Sequence, residues 1–98
     1  MKRPSRNTRE SAEIMAVQAL SFLAEEPERL GAFSSMTGIG PEAIRDAARE
    51  PGFLAGVLEH ILDNEPLLIA FAEAAGLDPA EIARARNALG VPWERDVP

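Results

Sequence analysis

Apolar residues recur along most of the chain at the three- and four-residue spacing that is typical of amphipathic helices. The spacing holds over residues 9–25, 27–37, 41–50, 53–62, 64–75 and 79–89. No stretch alternates apolar and polar residues for long enough to predict a strand. The pattern therefore predicts six short helices and no sheet. In the first helix it places one broad apolar face on Ile14, Val17, Leu20, Phe22 and Leu23.

Residues with known positional preferences mark the helix ends. Proline favours the first turn, and Pro27, Pro41 and Pro79 each open an apolar run. Glycine favours the left-handed residue that follows the last turn, and this predicts helix ends at Gly38, Gly76 and Gly90. Side-chain caps predict the other starts: Asn64 for the fifth helix, Asp78 for the sixth, and Asn7 or Thr8 with Glu10 for a first helix that begins near Arg9.

The chain resembles itself when it is shifted by 38 residues. Gly38 then falls on Gly76 and Phe33 on Phe71, and both pairs sit at positions that define a helix end or a core face. Other identical pairs are Leu20 and Leu58, Leu30 and Leu68, Ala32 and Ala70, Pro41 and Pro79, Ile44 and Ile82, and Ala47 and Ala85. We therefore predict an all-α fold, a compact bundle of about six short helices in two similar three-helix halves. The alternative is that helices with the same end chemistry match without being a repeat.

The composition fits one small globular domain, because 46% of the 98 residues are hydrophobic and 27% are charged. We predict a flexible basic arm over residues 1–8, a helical domain over 9–90 and an extended tail over 91–98, with Trp93 packing back onto the core. No run reaches the roughly 20 apolar residues that span a bilayer, and the basic start is not followed by a continuous apolar stretch. We expect a soluble cytoplasmic protein. The absence of cysteine excludes disulfides and thiolate metal sites and fits a reducing compartment.

The net charge of −6 is unevenly distributed along the chain. The first nine residues carry four basic side chains and no acid, a charge of +4, whereas the rest carries 16 acids against 6 bases, a charge of −10. A body of that charge repels nucleic acids and anionic membranes at long range. We therefore expect neither as a partner, and we interpret the basic arm as a solubilising tail.

The turns before the third and sixth helices resemble the corner of a helix-turn-helix motif, with Gly38 or Gly76 in the turn. Such a motif would present its second helix to DNA, and the basic side chains available for phosphate or base contacts are Arg45, Arg49, Arg84 and Arg86. A plain helix–helix corner needs the same glycine and the same apolar neighbours. Acidic residues beside the arginines favour the plain corner. DNA association through these corners and the basic N-terminal arm is kept as the alternative function.

No set of residues predicts a catalytic or metal site. His60 is the single histidine, and it lies near Glu59 and Asp63, whereas a metal site needs three or four convergent ligands. A Ser-His-acid triad is unsupported, and no glycine-rich phosphate loop follows a strand. We predict no catalytic residue, no metal and no cofactor, and expect His60 to be solvated or half-packed in a protein that is not an enzyme.

The segment 65–71 is apolar nearly all round. A helix of that kind is either central to the core or exposes an apolar stripe to a partner. The central core is the default in so small a chain. The alternative is docking of a protein partner or a symmetric homodimer, with Leu67, Ile69 and Phe71 as the candidate partner-facing residues.

Four segments of the sequence resemble a family of small bacterial proteins whose function is not characterised. They are Pro51–Leu58, Phe71–Pro79, Leu30–Phe33 and Gly38–Pro41. The resemblance covers roughly residues 8–90 and rests on helix boundaries, so it implies a compact helical domain and transfers no catalytic residue. With the observations above, it leads us to expect a small non-enzymatic module that binds protein through an apolar groove or an acidic face.

Overall fold

A computed structural model describes residues 5–90, and side chains from residue 9 onward except those of Pro41 and Pro51. Within that range the backbone forms six α-helices and no strand, which confirms the predicted fold class. The helices are α1 (Ser5–Ala24), α2 (Pro27–Thr37), α3 (Pro41–Ala47), α4 (Pro51–Leu62), α5 (Glu65–Ala75) and α6 (Pro79–Ala88). The predictions for residues 1–4 and for the tail, Trp93 included, lie outside the described residues.

Most helix ends form as their local chemistry predicts. Proline occupies the first turn of each helix from α2 to α6. The Asp78 carboxylate accepts a hydrogen bond from the Ala80 backbone N–H at 3.1 Å, and the Asn64 side chain accepts one from that of Leu67 at 3.3 Å. The three predicted stops are all left-handed, with φ of +76° at Gly38, +70° at Gly76 and +85° at Gly90.

The predicted start of α1 near Arg9 is wrong, because the helix begins at Ser5. A capping residue indicates one position where a helix can start. The helix can begin further upstream when no proline or glycine intervenes, as in residues 5–8. Residues 5–8 of the predicted basic arm, Arg6 among them, are therefore part of α1.

The core is built around α1 and α4, which pack against each other and against α6. The buried face of α1 is lined by small side chains, Ala12, Ala16 and Ala19, with Leu23 one turn further on. The predicted apolar face of α1 is therefore wrong for Ile14 and Val17, which are 60% and 45% exposed. α4 is buried along most of its length through Phe53, Leu54, Ala55, Val57, Leu58 and Ile61.

Two of the identical pairs 38 residues apart share their burial, since Phe33 and Phe71 are both in the core and so are Ile44 and Ile82. The corresponding helices differ in length, because α1 has 20 residues against 12 in α4, and α3 has 7 against 10 in α6. The arrangement in two similar halves stays a prediction. Across residues 5–90, no helix combines the length and the apolar content that crossing a bilayer requires.

Candidate interaction surface

A solvent-open groove of about 450 Å³ lies between α1 and α5, and we call it the α1–α5 groove. Phe22 and Phe71 line it with rings whose centroids are 5.4 Å apart, tilted by 53°. Both phenylalanines are buried, so the groove has an aromatic floor held by the core. Its remaining lining comes from α1 and its end (Val17, Gln18, Ser21, Glu25) and from α5 (Ala74, Ala75).

The lining of the α1–α5 groove is electrically one-sided. Of the described residues that form it, Glu25 is charged and none is basic. The nearby cation Arg29 is already engaged, because its guanidinium carbon lies 4.2 Å from the centroid of the Phe22 ring. Such a cation–π contact braces the ring, while the guanidinium keeps its positive charge. The open end of the groove therefore offers a carboxylate beside an apolar floor.

A second groove, of about 510 Å³, lies on the other side of α1 against α4 and the turn between α3 and α4. Ile14 and Val17 line it, and Val17 lines the α1–α5 groove as well. The two residues are three apart on one helix, so their side chains are neighbours on its surface. We call this exposed pair the α1 ridge. The other residues of the second groove are Glu13, Ala48, Arg49 and Leu54.

The structure does not bring the three predicted partner-facing residues together. Phe71 is 1% exposed in the floor of the α1–α5 groove, and Leu67 is half-buried against the core. Ile69 is 46% exposed, and it points away from both because residues two apart on a helix lie on different faces. Sequence reasoning missed the α1 ridge, although the alanines spaced by three and four residues could have signalled which face of α1 is buried.

The four candidate nucleic-acid contacts lie in three places: two are on α6, one is on α3 and one follows α3. Arg86 is committed within the fold, because it donates hydrogen bonds to the Glu59 carboxylate on α4 and to the Gly90 carbonyl. Arg84 is exposed on α6, Arg45 on α3, and Arg49 between α3 and α4. α3 and α6 are not among the helix pairs that pack extensively, so the four residues do not form one cluster through helix packing.

His60 belongs to an aromatic cluster rather than to either groove. Its ring meets that of Phe33 nearly edge-on, with centroids 5.2 Å apart, and Phe33 meets Phe53 in the same manner at 5.8 Å. Burial lowers the pKa of His60 below its ordinary value of 6.5, and the negative charge of Asp63 partly opposes that shift. The neutral ring is thus the form that this packing favours.

Reactive side chains are not assembled into a recognisable site in the part of the chain that the structure describes. Among residues 9–90, no three histidine or acidic side chains come together in an arrangement that could hold a metal ion. The Ser34 hydroxyl is buried and makes no hydrogen bond to any described group, so it lacks the adjacent base that activates a nucleophile.

Comparison with known proteins identifies the family. The sequence model of the family described as "Protein of unknown function (DUF3572)" matches residues 9–92, and the chain belongs to this family. That confirms the predicted resemblance to a family without characterised function. No curated protein and no solved structure matches the chain.

Proposed function

We propose that this member of the DUF3572 family is a non-enzymatic protein-interaction module whose α1–α5 groove takes an apolar side chain from a basic partner segment. The observation that carries the proposal is the groove itself, with two phenylalanine rings in its floor and Glu25 at its edge. Grooves between helices commonly accept one face of an amphipathic helix, anchored by a few apolar side chains. Its volume of about 450 Å³ lies within the usual range for binding clefts.

The acidic residues at the α1–α5 groove favour a basic partner segment. The groove lining holds the Glu25 carboxylate, and exposed Glu26, Glu28 and Glu73 lie close to it in sequence, so acidic side chains outnumber the Arg29 cation at the Phe22 ring of the floor. A partner with lysine or arginine beside its apolar anchor gains attraction there, whereas an acidic partner is repelled. The non-enzymatic part of the proposal is supported by the position of His60, whose ring is packed against Phe33.

Among the residues that the structure describes, the four candidate arginines do not favour DNA association. Arg86 is paired with Glu59, and the other three candidate arginines do not share a face of one element. Titration with duplex DNA, alongside the peptide titrations, compares the two functions directly.

The test is an NMR titration of isotope-labelled protein with two helical peptides that share one leucine pattern. One carries lysines on its polar face and the other carries glutamates. We expect the lysine peptide to shift amide signals of Gln18, Ser21 and Ala74, with an affinity at least about tenfold above that of the glutamate peptide.

Matched variants locate the site. Ala74→Arg places a bulky cation in the groove wall and should abolish the response, whereas Ala32→Arg, at an exposed site in the middle of α2, should leave it intact. The groove proposal would be overturned if the lysine peptide shifted the same signals in the Ala74→Arg variant. It would also be overturned if that peptide shifted no signals of the wild-type protein. A salt-sensitive response to duplex DNA at Arg45, Arg49 and Arg84 would instead support the alternative.

A further inference from the structure

The Phe22 ring in the floor of the α1–α5 groove already carries one cation. The guanidinium carbon of Arg29 lies 4.2 Å from its centroid, which is a close cation–π contact. Arg29 belongs to α2 and does not line the groove, so its guanidinium covers a part of the ring that the groove does not reach. A ligand in the groove therefore meets an aromatic surface that has a positive charge against it.

The charge of Arg29 acts on any second cation at the same ring. A cation interacts with an aromatic ring within about 6 Å of its centroid, so in the groove it would lie at most about 10 Å from the Arg29 guanidinium carbon. Arg29 is half-buried and Phe22 is buried, so this repulsion is screened less than that between two exposed charges. The floor consequently disfavours a lysine or arginine side chain, although acidic residues surround the groove.

The carboxylate that is free to contact a partner's cation stands at the edge of the groove. Glu25 lines the groove and is exposed. Within residues 9–90, ion pairs join Arg9 to Glu13 and Arg86 to Glu59, and none involves Glu25. The groove thus separates an apolar contact on its floor from a charged contact at its edge.

We infer that Arg29 determines which side chain the α1–α5 groove accepts, namely an uncharged aliphatic anchor on the floor, from a segment whose lysine or arginine contacts Glu25 at the edge. This role of Arg29 rests on the proposed function and adds the order of the two groups in the partner. In a helical partner, side chains three or four residues apart are neighbours, so the anchor and the cation should have this spacing. Arg29 acts through the Phe22 ring and is a positioning residue.

A pair of helical peptides tests this role. Both derive from the lysine peptide above and carry either norleucine or lysine at the central anchor, two side chains that share a four-carbon stem and differ by an ammonium group. We expect NMR titration to show that the wild-type protein binds the norleucine-anchored peptide more tightly, although the lysine-anchored one is more positive. Arg29→Met removes the charge and keeps an unbranched stem on the ring, and it should narrow that preference about fivefold or more.

Three further variants separate charge from packing. Arg29→Lys keeps the positive charge and should retain the preference. Arg84→Met makes the same change of charge at an exposed site of α6 outside the groove lining, and it should also retain the preference. Glu25→Gln should weaken both peptides and leave the ratio of their affinities unchanged, because the edge carboxylate contacts the flanking cation. A purely structural role of Arg29 would likewise weaken both peptides by one factor, so the ratio isolates its charge.

An affinity ratio that is the same in the wild-type protein and in Arg29→Met would overturn the role of Arg29. Tighter binding of the lysine-anchored peptide to the wild-type protein would overturn it as well. In both cases the groove function stands if Ala74→Arg abolishes the binding. If neither peptide binds the wild-type protein, the groove proposal fails and the role of Arg29 fails with it. A ratio that falls with Arg29→Met and is kept with Arg29→Lys and Arg84→Met supports that role.

Discussion

Phe33 holds α2 on α4 through two edge-to-face ring contacts. Its side chain is fully buried, and its ring meets both Phe53 and His60. Helical spacing predicts that Phe33 is in the core, because spacing depends only on its own helix. The identity of its neighbours was not predictable, since Phe53 and His60 come from a helix more than 15 residues further along the chain. For Phe33, burial was thus predictable from the sequence, whereas its contacts were not.

Truncation of this ring should be costly. Phe33→Ala is expected to lower the free energy of unfolding by about 3–5 kcal/mol, which combines lost burial with an unfilled cavity. Met36→Ala, on the same helix at a site that is 74% exposed, should change it by less than about 0.5 kcal/mol. Urea unfolding followed by circular dichroism measures both. Similar losses in the two variants would show that Phe33 does not carry the α2–α4 contact.

At the scale of whole helices, ends were predictable and buried faces were less so. α5 stops at Gly76, and the Leu77 backbone N–H returns to the Ala72 carbonyl at 2.8 Å, a closure set by local residues. The buried face of α1 depends instead on which neighbours approach it. Alanines at positions 12, 16 and 19 face the core while larger Ile14 and Val17 face solvent, so ranking residues by hydrophobicity selects the wrong side.

Alanine substitutions at two glycines should have opposite effects on stability, because one glycine ends a helix and the other lies inside one. Gly76 has φ of +70°, where a Cβ is strained, so Gly76→Ala should destabilise the protein by about 1 kcal/mol or more. Gly31 lies inside α2 with open space where a Cβ would stand, so Gly31→Ala should stabilise it by about 0.5–1 kcal/mol. Thermal unfolding should move the midpoints in opposite directions. Equal shifts of the same sign would contradict the role of Gly76 as a helix stop.

At the scale of the whole molecule, the composition predicted the net charge, but the sequence did not predict the shape of the surface. The acidic body was evident from the residue counts. The α1–α5 groove was hidden, because Phe22 and Phe71 are 49 positions apart and meet only when the chain folds. The α1 ridge was hidden for the same reason, since only the packing of α4 and α6 on the alanine side leaves Ile14 and Val17 outside.

Global stability should depend on pH through His60. Its folded pKa lies below the unfolded value of 6.5, so the unfolded chain binds more protons between the two values. The stabilising contribution is complete above pH 6.5 and is lost as the pH falls through the folded pKa. His60→Gln should remove this component between about pH 7.5 and 5. Urea unfolding of both proteins across that pH range gives the His60 contribution as the difference between their free energies of unfolding. The same pH dependence in the two proteins would contradict the prediction.

The alanine face of α1 also sets a limit on how this sequence can change. Ala12, Ala16 and Ala19 have almost no exposed surface, so each extra methylene there must displace a neighbouring helix. Replacing a residue with a larger, more hydrophobic one is a common way to stabilise a protein. At these three alanines, the added side-chain volume rules it out. In related sequences we expect the exposed side of α1 to vary in side-chain size and charge. We expect the buried side to keep small residues.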